Sequence, residues 1–111
     1  MDYDAILIGN AGLGAGDPLL GGLILANFLR LLGEREARPE YIILWNEGVK
    51  IAVEGSNWIS HLKRLEEQGV NIISCRTCLE FFGLEDQVAA GEIGNMAQIQ
   101  DILFSHRVLT V

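Results

Sequence analysis

The only two cysteines of the chain, Cys75 and Cys78, flank Arg76-Thr77 and directly follow the apolar run Val70-Asn71-Ile72-Ile73-Ser74. A Cys-x-x-Cys at the point where a buried strand gives way to a helix is expected to set a thiol near solvent at the positive end of that helix. Such a site favours the thiolate, the form that attacks disulfides and sulfane sulfur. The loop between the two is too small for a structural staple, and in a reducing compartment such a pair is reactive or metal-binding. Four readings compete. An inert pair would be small core hydrophobes, but Arg76 and Thr77 look like an exposed turn. Zinc would need two further donors; His61 falls mid-helix and His106 precedes the last strand, so no metal is expected. A thioredoxin-type dithiol has this spacing, but it normally follows the first strands of its fold and faces a cis-proline. Here Pro18 and Pro39 fall at a helix start and in a linker. The remaining reading is a nucleophilic cysteine that carries sulfur as a persulfide or exchanges disulfides.

The elements that must position this pair alternate strand and helix. Asp4 to Gly9 reads as a buried strand, followed by the Gly-rich loop Gly9 to Gly16. Asp17 caps a helix opening on Pro18 and running to about Leu32, with Gly33 as terminator. Tyr41 to Trp45 is a second strand, and Val49 to Val53 a short helical piece. Ser56 or Asn57 caps a helix with Trp58, Ile59, Leu62 and Leu65 on one face, ended by Gly69. The third strand enters the cysteine motif, and Leu79 to Gly83 is a short helix. A fourth strand is expected around Val88-Ala89-Ala90. Asn95 and Gln98 resemble a capping box for a helix through Phe104, and His106 to Val111 is a closing strand.

This alternation predicts an α/β fold with right-handed crossovers and a mostly parallel sheet covered on both faces. Reactive groups gather beyond the carboxyl ends of such strands. Gly9 to Asp17, Asn46 to Lys50 and Cys75 to Cys78 should converge there, which makes Asn46 and Lys50 candidate supporting residues. The backbone of Gly12, Gly14 and Gly16 is a candidate anion cradle at a helix N-terminus. It matches neither the dinucleotide nor the P-loop fingerprint, and a tight strand-to-helix turn needing several unusual φ angles is the better explanation of the glycines. The rival reading of the chain is therefore a non-catalytic, oligomeric module that binds a nucleotide or anion on this loop. No cofactor is called for. Trp45, Trp58, Phe28, Phe81 and Phe82 read as core or interface anchors.

A chain of 111 residues is expected to form one domain, 1–111. A net charge of −7 with eight scattered Lys and Arg argues against a nucleic-acid partner. No apolar stretch is long enough to span a membrane, no signal peptide is read at the start, and the expected location is the cytoplasm. The first helix is apolar almost all round, broken only by Asn27 and Arg30. A domain this small covers one face of an outer helix, so the other predicts a homo-oligomer.

The segment Ile73 to Leu84, taken with Gly14-Ala15-Gly16-Asp17, Asn46-Glu47-Gly48-Val49-Lys50, Glu54-Gly55-Ser56, Ala90 to Met96 and Val108 to Val111, resembles the DsrE-like sulfur-relay superfamily. In particular it is similar to the C-terminal domain of the YedF proteins, which are sulfurtransferase-like and associated with selenium metabolism. The resemblance covers nearly the whole chain. It implies a three-layer α/β/α sandwich around a mainly parallel five-stranded sheet, often built into dimers, trimers or hexamers. It also implies a cysteine that accepts persulfide sulfur and passes it to a partner thiol. By position Cys75 corresponds best to the acceptor, with Cys78 a resolving or supporting thiol. The YedF pattern usually has glycine where Arg76 stands; a left-handed backbone there would strain an arginine, while its guanidinium would suit a thiolate or persulfide anion. YedF proteins usually carry a TusA-like domain ahead of this one, so the sulfur donor or acceptor is expected to be a separate, TusA-like protein.

Overall fold

The computed structural model describes residues 2–111, so Met1 of the expected 1–111 domain lies outside it. Five short strands form one sheet: β1 (Ala5–Ile8), β2 (Tyr41–Leu44), β3 (Asn71–Cys75), β4 (Glu92–Gly94) and β5 (Val108–Thr110). Their spatial order is β4-β3-β2-β1-β5 and all four ladders are parallel. The helices are α1 (Pro18–Glu34), α2 (Ile59–Glu67), α3 (Arg76–Phe82) and α4 (Met96–Ser105). From β1 to β4 the chain steps in one direction, and the β4-to-β5 connection returns across the whole sheet. With right-handed crossovers this puts α1 and α2 on one face and α4 on the other, the expected three-layer arrangement. β1, β2 and β3 are apolar in nearly every position because parallel strands are covered on both faces.

Asp17 Oδ1 accepts the Leu20 N–H at 2.9 Å with Pro18 at the first helical position, as expected. Leu25, Leu29 and Leu32 of α1 face the core. The helix runs past Gly33, however, and ends on an extended Arg35. Gly33 is a packing position: the Arg64 side chain lies against it and Gln68 Nε2 donates to its carbonyl at 2.9 Å. Trp58 Nε1 donates to the Gly22 carbonyl at 2.9 Å and pins the start of α2 to α1. Ser56 does shape that turn, its hydroxyl accepting from the Trp58 N–H and donating to the Ile51 carbonyl, but α2 begins at Ile59.

Three further boundaries differ from expectation. The helical piece after β2 is a 3₁₀ segment that starts earlier, Asn46–Ala52. α3 starts at Arg76, immediately after β3. Val88 to Ala90 is not the fourth strand: Val88 makes a single antiparallel bridge with Val53, and the Ala89 and Ala90 N–H groups donate to the Ala52 carbonyl. Gly91, at φ 75°, then turns the chain so that Glu92–Gly94 pairs with β3. Asn95 caps α4 by accepting the Gln98 N–H at 2.8 Å.

Candidate functional site

Strand alternation decides where the two sulfurs go. Cys75 is the last residue of β3 and two residues beyond the core residue Ile73, so its side chain enters the same face. It is 1% exposed. α3 begins on the next residue, and Cys78, one turn in, emerges toward solvent as a half-buried side chain. Cys78 lines a shallow hollow of about 350 Å³ with Asn46, Thr77, Phe81 and Phe82. The two thiols are free, and they are not equivalent.

Asn46 reaches the site because β2 and β3 are adjacent and parallel, Leu44 pairing with Ser74. The residue has φ 51°, and among the described residues it is the one non-glycine with a positive value. Asparagine tolerates that region better than most side chains. In this conformation the Asn46 N–H donates to Cys78 Sγ at 3.0 Å. Gly48 presses the same segment against β1; an added methyl would overlap the Ile8 carbonyl oxygen. Lys50 stands at the rim, its Nζ 4.5 Å from the Phe82 ring centroid and 3.4 Å from Glu47 Oε1.

The thiolate expectation is corrected by this geometry. Burial pushes the Cys78 thiol above its ordinary range; the Asn46 N–H opposes the rise, and the neighbouring Cys75 thiol adds to it. α3 is only seven residues long and begins directly at the motif. Since unfolding restores an ordinary thiol, the native state holds a proton that the unfolded chain releases between the two values. Stability from this group is therefore present below the ordinary thiol pKa and is lost as pH rises through the raised one. Iodoacetamide should accordingly label native Cys78 with a half-maximal rate at a pH above that of the urea-unfolded chain. A native midpoint at or below the unfolded one would contradict the burial argument.

Arg76 is the first residue of α3 with ordinary right-handed backbone, so no strain attends it. Its exposed side chain forms no ion pair among the described residues. The Gly-rich loop lies on the same sheet edge but lines a separate hollow with Gly12, Gly14, Gly16, Asp17 and Glu47. Gly14 and Gly16 have φ of 77° and 136°, and the Leu13 N–H is spent on the Gly21 carbonyl. The carboxylates of Asp17 and Glu47 oppose an anion there. The 3₁₀ segment divides the edge, with Asn46 facing the thiol and its neighbour Glu47 facing the loop. His106, before the last strand, places its Nε2 3.3 Å from Glu40 Oε2 and meets the Tyr41 ring edge-on.

The Asn46 N–H is not legible in the sequence as a thiol ligand, because it depends on a left-handed residue far away along the chain. The one available signal is an asparagine directly after a buried strand, a residue type enriched at positive φ.

Fold and site together define a parallel α/β domain carrying one accessible and one buried thiol beyond the carboxyl end of its third strand. The chain belongs to the DsrE/DsrF-like family, whose sequence pattern matches residues 22–111. No curated protein matches the sequence significantly. Among solved structures the chain is similar to the ychN protein of E. coli, with 24% identity, a TM-score of 0.71, and 98% of this chain and 99% of that one covered. It is also similar to MTH1491 of Methanobacterium thermoautotrophicum, a protein of unknown function (16% identity, TM-score 0.68, 99% and 100% covered). BT1422 of Bacteroides thetaiotaomicron, likewise of unknown function, shares the fold at 18% identity and a TM-score of 0.66, with 97% and 95% covered.

Proposed function

We propose that the protein is a small sulfur carrier in which Cys78 accepts sulfane sulfur and hands it to a partner thiol. The observation that carries this reading is the Cys78 sulfur itself, open to a hollow and held by the Asn46 N–H, while Cys75 is sealed in the core. This reading reverses the order of the two thiols that the resemblance implies. In the loading step the Cys78 thiolate attacks the outer sulfur of a donor persulfide, forming a Cys78 persulfide and releasing the donor thiolate. In the unloading step an acceptor thiolate attacks that same outer sulfur and Cys78 leaves as thiolate. The Asn46 N–H lies where it stabilises negative charge on Sγ in both steps. Phe81 and Phe82 give the hollow an apolar wall, and Lys50 and Arg76 supply positive charge near its rim.

Membership in the DsrE/DsrF-like family supports the sulfur-relay reading. The resemblance of the cysteine segment to YedF proteins supports a link to selenium metabolism, with sulfur or selenium as cargo, and a TusA-like protein as donor or acceptor. A reducing cytoplasm suits two free thiols, and no described helix is long and apolar enough to cross a membrane. The open face of α1 supports assembly into a homo-oligomer.

Intact-mass analysis after exposure to glutathione persulfide tests the carrier. Cys75→Ser should gain one sulfur atom, and Cys78→Ser should gain none. Uptake by Cys78→Ser equal to that of Cys75→Ser would overturn the assignment, and uptake by neither would overturn the carrier reading.

A further inference from the structure

The carrier reading employs Cys78 and leaves Cys75 idle. A role for the buried thiol rests on that reading, because it needs a loaded Cys78 to act on. Cys75 is the residue capping α3, and Cys78 is the third residue of the helix. In this arrangement a capping side chain turns toward the third residue. Cys75 makes no capping bond to the backbone, so its side chain is free to turn toward Cys78, and the two thiols are close enough that Cys75 raises the pKa of Cys78. Access is one-sided. Solvent and any partner meet Cys78 from the hollow, while Cys75 approaches from behind, within a core that includes Ile73 and Leu79.

We propose that Cys75 is an internal resolving nucleophile, which attacks Sγ of the Cys78 persulfide, forms a Cys75–Cys78 disulfide and expels the outer sulfur as sulfide. The new bond is Cys75 Sγ to Cys78 Sγ, and the bond broken joins Cys78 Sγ to the outer sulfur. The Cys75 proton leaves with the departing sulfur as hydrogen sulfide. The sulfane sulfur is reduced and the two cysteine sulfurs are oxidised to a disulfide, so no outside oxidant enters. Regiochemistry follows from position: Cys75 lies on the core side of Cys78, and the load sits on the hollow side where an acceptor meets it. Attack on Sγ also expels hydrosulfide, a more acidic leaving group than an ordinary cysteine thiol. The load is consequently timed. An acceptor that arrives early receives sulfane sulfur; without one the protein discharges sulfide and stays locked until a dithiol reductant reopens it.

The test compares wild type with Cys75→Ala and Cys75→Ser after glutathione persulfide loading and removal of excess donor. Wild type should lose its sulfur-loaded mass in favour of a species two hydrogens lighter than the reduced protein, with one equivalent of sulfide released. Both variants should hold the load at least ~10-fold longer, having no internal attacking thiol. Equal lifetimes, with no disulfide in wild type, would overturn the resolving role and leave the carrier standing. If no form takes up sulfur, the carrier reading falls, and a second probe decides the role of Cys75. Glutathione disulfide should give a Cys78 mixed disulfide that closes to Cys75–Cys78 in wild type, releasing glutathione, and persists in the variants. Persistence in wild type as well would overturn the proposal. Should both variants fail to fold, peptide mapping of loaded wild type decides it alone, since absence of a Cys75–Cys78 peptide would do the same.

Discussion

Gly48→Ala is expected to damage fold and site together. An alanine methyl there would overlap the Ile8 carbonyl oxygen and lie 3.0 Å from the Ile8 carbonyl carbon and 3.4 Å from the Asn10 nitrogen. All three are backbone atoms at the end of a buried central strand, so no flexible side chain relieves the overlap. The 3₁₀ segment must move off β1 instead. That motion strains the Trp45 N–H to Ile8 bond (3.3 Å) and the Gly48 N–H to Trp45 bond (3.0 Å). Overpacking of this kind costs about 1–3 kcal/mol, a large share of a total stability of roughly 5–15 kcal/mol. The melting temperature should fall by roughly 5–20 °C for a domain of this size. Asn46, two residues away, moves with the segment and takes its N–H from Cys78 Sγ. Loss of that donor raises the thiol pKa further, so Cys78 alkylation at fixed pH should slow. Gly55→Ala is the control: Gly55 has φ 81° and open space around it, so the substitution meets backbone strain alone. It should lower stability by about 1–2 kcal/mol and leave the Cys78 rate unchanged. Wild-type melting and alkylation in Gly48→Ala would refute the account of how the segment is held.

The same coupling explains what the residues reveal in isolation. β1, β2 and β3 are legible because each is a short, mainly apolar run, and the caps at Asp17-Pro18 and Asn95 are legible because capping chemistry is local. The displacement of β4 from its expected place has a physical reason: Val88-Ala89-Ala90 looks more strand-like than Glu92-Ile93-Gly94. The left-handed Gly91, packed against the Ile72 carbonyl, determines which stretch meets the sheet edge. The ranking of the thiols turns on one boundary. Starting the helix at Leu79 leaves both cysteines in a turn and both exposed. Extending the strand through Cys75 puts it on the inward face with Ile73, a period-two argument the sequence permits. That a strand passes into a helix with no intervening loop is a tertiary fact, fixed by the parallel pairing of Cys75 with Gly94. Topology alone puts Asn46 on the correct sheet edge, but its left-handed backbone and the direction of its N–H depend on Gly48 packing against β1.

On the proposed assembly through α1, Leu19→Glu with Leu23→Glu is expected to give a monomer without unfolding the chain. α1 buries one stripe, including Leu25, Leu29 and Leu32, and leaves Leu19, Leu20, Leu23, Ile24 and Leu31 in solvent. Leu19 is 76% exposed and Leu23 58%. With Pro18, Gly22, Ala26 and Trp58 these two leucines line an apolar groove of about 510 Å³ between α1 and the start of α2. Leucines repeated on the solvent face of a 17-residue helix are not required by its own core. A second copy covers such a face most economically, because a two-fold axis brings the stripe against itself. Each leucine buried at the contact contributes about 1.5–3 kcal/mol, and every 1.4 kcal/mol is about tenfold in dissociation constant. Losing both should weaken assembly by at least ~100-fold, before counting repulsion between facing carboxylates. The core stripe is untouched, so far-ultraviolet circular dichroism should remain native. Association stabilises the fold by mass action, so wild-type melting should rise with protein concentration and that of the double variant should not. Sedimentation equilibrium reads the outcome directly. Monomeric wild type at high concentration, or a double variant that assembles as well as wild type, would remove α1 as the contact surface.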